Sequence, residues 1–321
     1  MGTDPAAAPR TQAATVPVPG RKPVGDREAL TGILFVLKTG IPWEDLPAEM
    51  GCGCGMTCWR RLRDWPAAGV WYALHQLLLT ELDIAGEIDG SRAAVDATFA
   101  RAFGGVAGSG PNPADRGRPG VKQHLLVGAA GLPVAGVTTA ANVHEVRQLV
   151  PLVDAAGPQH RDGGPIHRPK ALYADRAYDS EPHRQQVRAR GINPHLAKRG
   201  AAHGSGLGRF RWVVERTISW LHGFRKLRFV TEKDEDNTFG LFNLGMALIA
   251  FRAYTRTLSV SASYGETHLI RSKAEHEPPG RSDAGNPTAS PPTRQPRSRT
   301  GGSEWDGRGQ PRQRCHPAAS R

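Results

Sequence analysis

Asp96 in AAVDATF, Asp175 in LYADRAYDS and Glu215 in FRWVVERTISWL are the residues of this 321-residue chain best suited to chemistry. Asp96 lies inside a β-like run, Asp175 closes another, and Glu215 falls on an amphipathic helical pattern. Carboxylates are hard oxygen donors. Three of them delivered from two strands and a helix suit a pair of divalent cations held over a phosphodiester. Asp96 alternates with apolar Val95 and Ala97, so an ionised carboxylate there is costly unless coordinated or paired with an arginine. Asp175 ends its strand, where α/β sheets gather ligand-binding groups. The other role for Asp175 is a helix cap, for which Ser180 is better placed. Arg211, Glu215 and His222 share one flank of their helix, because offsets of four and seven residues return to nearly the same azimuth. Beside them Phe210, Val213, Val214, Ile218 and Leu221 form the stripe that must pack on the body.

The surroundings are basic. From Lys198 to Arg228, eight basic residues stand against Glu215 alone, a net charge of +7. The whole chain carries a formal +12, which suits a polyanionic partner through counterion release. Arg outnumbers Lys by 34 to 8. That excess fits bidentate phosphate contacts, and GC-rich coding gives the same bias. Four cysteines, three of them clustered at Cys52, Cys54 and Cys58, are too few for a disulfide scaffold and lack a fourth ligand at zinc-finger spacing. No apolar run reaches membrane-span length, so the expectation is a soluble protein of a reducing compartment, with no membrane partner. No nucleophile-elbow or HExxH motif is present.

The elements that must position these acids fall into two modules between residues expected to be disordered, 1–22 and 258–321, where Ala, Pro, Gly, Ser and Arg dominate. The first module, 23–85, reads as helical. Leu30, Ile33, Leu34 and Leu37 keep the period of a helix capped by Asp26 and ended by Gly40. A short helix begins at Pro42, a third lies around MTCWRRLRDW after the GCGCG turn, and a fourth runs from Pro66 to Leu82. A helix-turn-helix in which Arg60, Arg61 and Arg63 meet DNA is one reading. A helical bundle with solvated arginines is the other. In the second module, 86–257, the order β-β-β-α-β-α-β-α-α predicts an α/β layer fold with a mixed sheet.

At VDATF, YADRAYDS and RWVVERTISWLHGFRKLR the chain resembles the DDE transposases of bacterial insertion sequences, in the insertion sequence five group. GILFVLKTGIPWEDLP and GPNPADRGRPGVKQHLLV extend the resemblance over residues 20–257. It implies an RNase H-like catalytic domain behind a small helix-turn-helix-like module. By position, Asp96, Asp175 and Glu215 match the three metal-binding acids, with Mg²⁺, or Mn²⁺, as cofactor and Arg211 assisting. It also implies a bacterial, cytoplasmic, nucleoid-associated enzyme, multimeric on double-stranded DNA, that binds terminal inverted repeats and joins them to target DNA. Arg116, Arg118 and Lys122 in and after the Gly/Pro loop, with Lys198, Arg199 and Arg216, are candidate DNA contacts. Ala177 stands where relatives often carry Gly, and Gly208 and His222 stand where the signature has Tyr and Lys. A catalytically inert DNA-binding repressor and a structure-specific RNase H-like nuclease are the alternative functions.

Overall fold

The computed structural model describes residues 23–156, 168–200 and 206–275. The proposed tail 1–22 and residues 276–321 of the second tail lie outside them.

Helix α1 spans Asp26–Thr39, with its apolar residues at the predicted positions. Its N-cap is Gly25, without a side-chain cap. Asp26, expected as the cap, stands one residue inside, where its charge favours the helix dipole. Gly40 takes φ 74° and returns its N–H to the Val36 carbonyl, a left-handed stop that glycine adopts without strain. PWEDLPAEM forms two 3₁₀ turns, Trp43–Asp45 and Ala48–Met50, and α2 follows at Gly55–Ala67. A Cβ at Gly55 would sit 1.6 Å from the Trp43 carbonyl oxygen, so only glycine lets α2 start against that turn. The fourth helix, α3, spans Val70–Ile84 and does not include Pro66, which completes the last turn of α2.

Strand β1 (Ala93–Ala102) is the spine of a seven-stranded mixed sheet. It pairs antiparallel with β3 (Pro119–Gly128), which pairs antiparallel with β4 (Pro133–Ala140) and with the two-residue β2 (Gly110–Pro111). On its other side β1 runs parallel to β5 (Ala171–Ala174), and β5 to β6 (Asn193–Leu196). Short β7 (Phe229–Val230) lies parallel to the far end of β1. The helix expected over 144–156 is a 3₁₀ turn, Glu145–Gln148, then α4, Leu149–Asp154. Helices α5 (Glu181–Ala189), α6 (Gly208–His222), the one-turn α7 (Arg225–Arg228) and α8 (Glu235–Glu275) complete the order. Helix α8 runs past residue 258, where order was expected to end, because its register continues unbroken from the buried Phe242–Ala250 segment.

Alternate residues of the strands face opposite layers, as a period of two requires. Ala94, Leu125 and Val127 pack with Ile33 and Leu37 of α1, Leu62 of α2, Val214 and Leu221 of α6, and Phe242 of α8. Ala93, Val95, Leu126 and Leu172 pack on the other side with Leu79, Leu149, Leu152, Val187 and Ala247. The N-terminal helices therefore share one core with the sheet. Glu232 fastens that contact: its buried carboxylate accepts from Trp43 Nε1 at 2.9 Å, Trp59 Nε1 at 3.2 Å and Lys226 Nζ at 3.1 Å.

Candidate active site

Parallel pairing of β1 with β5 sets Ala93 beside Leu172 and Ala94 beside Tyr173. The same offset sets Asp96 beside Asp175, two residues beyond the last pair. Both acids share the face of Ala94 and Tyr173, over which α6 packs: Tyr173 stacks on Phe210 of α6 at 4.5 Å between ring centroids. Arg211 follows Phe210 on α6 and so reaches over β1, and Glu215 stands one turn further along the helix. Arg211 Nη2 donates to Asp96 Oδ2 at 3.1 Å and lies 3.8 Å from Glu215 Oε1.

The electrostatics follow from this placement. Asp96 is only 19% exposed, and burial pushes its carboxyl above the ordinary range. The Ala97 N–H and Arg211 oppose that shift, and the neighbouring Asp175 adds to it. Asp175 caps the 3₁₀ turn Arg176–Tyr178 by accepting from Ala177 N at 2.9 Å, which fixes its backbone at the strand end. Here the helix-cap role and a ligand role coexist, since a carboxylate has lone pairs for both. Ser180 is the N-cap residue of α5 but makes no side-chain cap; its Oγ pairs with His183 Nδ1 at 2.7 Å. Tyr178, wholly buried, has a hydroxyl with no protein partner, and Asp96, Asp175 and Glu145 reinforce burial in raising its pKa well above the ordinary value. Sequence reading missed Tyr178, whose one signal is its place three residues after Asp175.

The arrangement fits a divalent cation in part. Two carboxylates stand side by side, their repulsion offset in part by Arg211, and an unpartnered hydroxyl lies nearby, which is the hard-donor chemistry that Mg²⁺ or Mn²⁺ takes. Glu215 is 61% exposed and reaches Asp96 only through Arg211. Among the described residues no three His, Cys, Asp or Glu side chains are grouped as a metal cluster. Arg211 thus serves as the counter-ion between the acids. His222 is half-buried with its pKa lowered by burial and by Arg228, and its Nε2 has no partner.

The basic candidates separate into two sets. Lys122 is not available to DNA. It is 3% exposed, with Nζ donating to the Val143 carbonyl at 2.6 Å and to Glu145 at 2.7 Å, and it lies over the Phe99 ring. On β3 it faces the layer opposite Asp96, where a cation must find a partner or cost several kcal/mol. Arg60, Arg63, Arg116, Arg118, Lys198 and Arg199 are exposed. Arg61 lies 3.4 Å from Asp26. Arg199 is anchored near the site, its Nε donating to the Arg176 carbonyl at 3.1 Å and its backbone N–H to Asp179 at 2.7 Å. Arg216 donates to the Ala130 carbonyl at 2.7 Å and stands between two tryptophans.

Three antiparallel strands, β4-β3-β1, continued by two parallel ones, β5-β6, with a charged helix laid over the strand ends, define an RNase H-like catalytic fold. Residues 88–250, just over half of the chain, match the family described as "Transposase DDE domain", and residues 6–75 match "Putative transposase of IS4/5 family". The chain belongs to the DDE transposases, in the IS4/5 family. The "Putative transposase for insertion sequence element IS402" of Burkholderia cepacia is 51% identical over 149 residues, covering 46% of this chain and 71% of that protein. A second relative from that organism, "Insertion element IS402 uncharacterized 16.2 kDa protein", is 66% identical over 95 residues, 30% of this chain and 65% of its own length. The crystal structure of a pre-cleavage Mos1 transpososome aligns over 77% of this chain and 81% of that chain at 8% identity, with a TM-score of 0.21. No described helix is long and apolar enough to cross a membrane.

Proposed function

We propose that this transposase binds the terminal inverted repeats of its insertion sequence and performs strand cleavage and strand transfer at Asp96, Asp175 and Glu215. The observation that carries the reading is the placement of Asp96 beside Asp175, with Arg211 linking Asp96 to Glu215. The three acids would hold Mg²⁺, or Mn²⁺, which supplies Lewis-acid activation of the attacking oxygen and stabilisation of the leaving one. The chain's own residues do the rest. Asp96 and Asp175, fixed on the strands, set where the scissile phosphate lies. Arg211, released from its carboxylates, would meet a phosphate oxygen, for which its fork geometry is suited. Exposed Arg116, Arg118, Lys198 and Arg199 would hold the duplex backbone, and Arg60 and Arg63 of α2 would contact the repeat or its flank. Action as a homo-oligomer on paired ends and on target DNA belongs to the same proposal.

The test is strand cleavage of terminal-repeat DNA with and without Mg²⁺. Asp96→Asn should lower the rate by about 1,000-fold or more, the scale of losing a main electrostatic element of an active site. A fully active Asp96→Asn protein would sink the assignment. Salt-dependent repeat binding without nicking by the parent protein would point instead to a repressor, and cutting of branched DNA whatever its ends to a structure-specific nuclease.

A further inference from the structure

The flank of α6 turned away from Asp96 carries Trp212, Arg216 and Trp220 at successive turns. The Arg216 guanidinium lies 4.5 Å from the Trp212 ring centroid and 4.6 Å from that of Trp220. Its hydrogen bond to the Ala130 carbonyl holds it there. Both indoles remain exposed, Trp220 at 41%. Trp220 is also one wall of a cleft of about 410 Å³ completed by Ile249, Arg252, Thr255 and Arg256 of α8. Arg256 Nε donates to the Arg252 carbonyl at 3.1 Å, and the Arg252 guanidinium lies over Phe224. No acid is among the described residues lining this cleft.

Glu87 borders the adjoining cleft on the other side of Trp220 and Arg256, so the α8 side, with its two arginines and the indole, is the part that selects a partner. An apolar protein surface would strip water from the arginines without repaying it. Duplex DNA would satisfy the arginines but hides the faces of its bases. Unpaired DNA offers both a phosphate chain and open base faces, and stacking on aromatic side chains is how such strands are held without sequence preference. Trp220 lies five residues along α6 from Glu215, about 8 Å of axial rise at 1.5 Å per residue and on another flank of the helix.

Resting on the reading of this chain as a DNA strand-cleaving enzyme, we propose that the cleft between α6 and α8 holds unpaired DNA, with one base stacked on Trp220 and flanking phosphates on Arg252 and Arg256. The experiment titrates the full chain, without divalent metal, against labelled oligothymidine of about 12 nucleotides and against a duplex of the same length, a size within known single-strand sites. Trp220→Ala should weaken oligothymidine binding about tenfold, and Trp220→Phe, which keeps a π-face, less than about threefold. The Arg252→Gln/Arg256→Gln protein should lower the salt slope by about 1.4, two phosphates' worth for a single strand. Duplex affinity should move less than about twofold with Trp220→Ala.

Oligothymidine affinity equal to the parent's in Trp220→Ala overturns the inference, as does an equal loss on single strand and duplex. Should circular dichroism find Trp220→Ala unfolded, the arginine variant decides, and an unchanged salt slope overturns the proposal. Cleavage by Asp96→Asn, measured in parallel, keeps the two readings apart. Lost cleavage with no Trp220 dependence sinks the cleft alone, whereas retained cleavage with Trp220 dependence sinks the catalytic assignment alone.

Discussion

The two faces of the central sheet treat charge in opposite ways. Over β1 and β5, Asp96 and Arg211 are each about one-fifth exposed, and Asp96 keeps a repelling neighbour in Asp175. Under β3, Lys122 and Glu145 pair with each other: the ammonium is 3% exposed and bonded twice, while the neighbouring His124 pairs its Nε2 with Thr139 at 2.8 Å. A charge satisfied by protein alone has no capacity left for a ligand. A charge pair kept partly wet, with a like charge beside it, is poised to exchange partners. The contrast supports the proposal that the first face is the site and the second its support.

Substitution should separate the faces. Asp96→Asn, with its cleavage loss of about 1,000-fold, should leave the denaturant midpoint within about 1 kcal/mol of the parent, because relief of burial and of the Asp175 repulsion offsets the lost Arg211 bond. Lys122→Ala should do the reverse. It strands Glu145 in a partly buried setting and removes a donor from the Val143 carbonyl, costing about 3 kcal/mol in urea unfolding. An unaltered midpoint for Lys122→Ala would erase the distinction between the faces.

Acid sharpens the same comparison. His124 and the buried His75, whose Nε2 meets the Pro133 carbonyl at 2.9 Å, both have pKa values lowered by burial to about 4. Unfolded histidine titrates near 6.5. With the folded value below the unfolded one, stability is whole above pH 6.5 and is lost as pH falls towards 4. Between pH 7 and pH 5 each should cost about 2 kcal/mol. His75→Leu should abolish its share of that slope in denaturation followed at both pH values, and a slope equal to the parent's would refute the assignment.

Much of this was legible in the sequence, and the physical reason divides the successes from the misses. The strand around Asp96, the turn at Gly128–Gly131 and the stripe of α6 are local patterns of period 2 or 3.6, and they stand where periodicity placed them. The juxtaposition of Asp96 with Asp175 depends on parallel register, which no local pattern encodes; the family resemblance supplied it. Lys122 was misplaced because its partner Glu145 lies 23 residues away in a turn read as helix. The Glu232 clamp joins residues 189 and 173 apart, and no local pattern hints at it. Likewise Pro66 ended α2 instead of opening α3, because Gly69 at φ 68° makes the break.

The smallest effect expected lies on the outermost surface, at α2. Arg60 and Arg63 are exposed, and the Arg63–Asp64 pair at 2.8 Å has both side chains about half in water. Such pairs contribute little to stability, so Arg60→Gln/Arg63→Gln should move the unfolding free energy by less than about 0.5 kcal/mol. If these arginines touch duplex phosphates, the slope of log affinity against log salt should still fall by about 0.9 for each phosphate no longer neutralised. A flat stability with a changed slope assigns them to DNA. A flat stability with an unchanged slope assigns them to solvent, and leaves α2 as a helix whose role is its buried side, where Cys58 and Leu62 meet the core beneath α1.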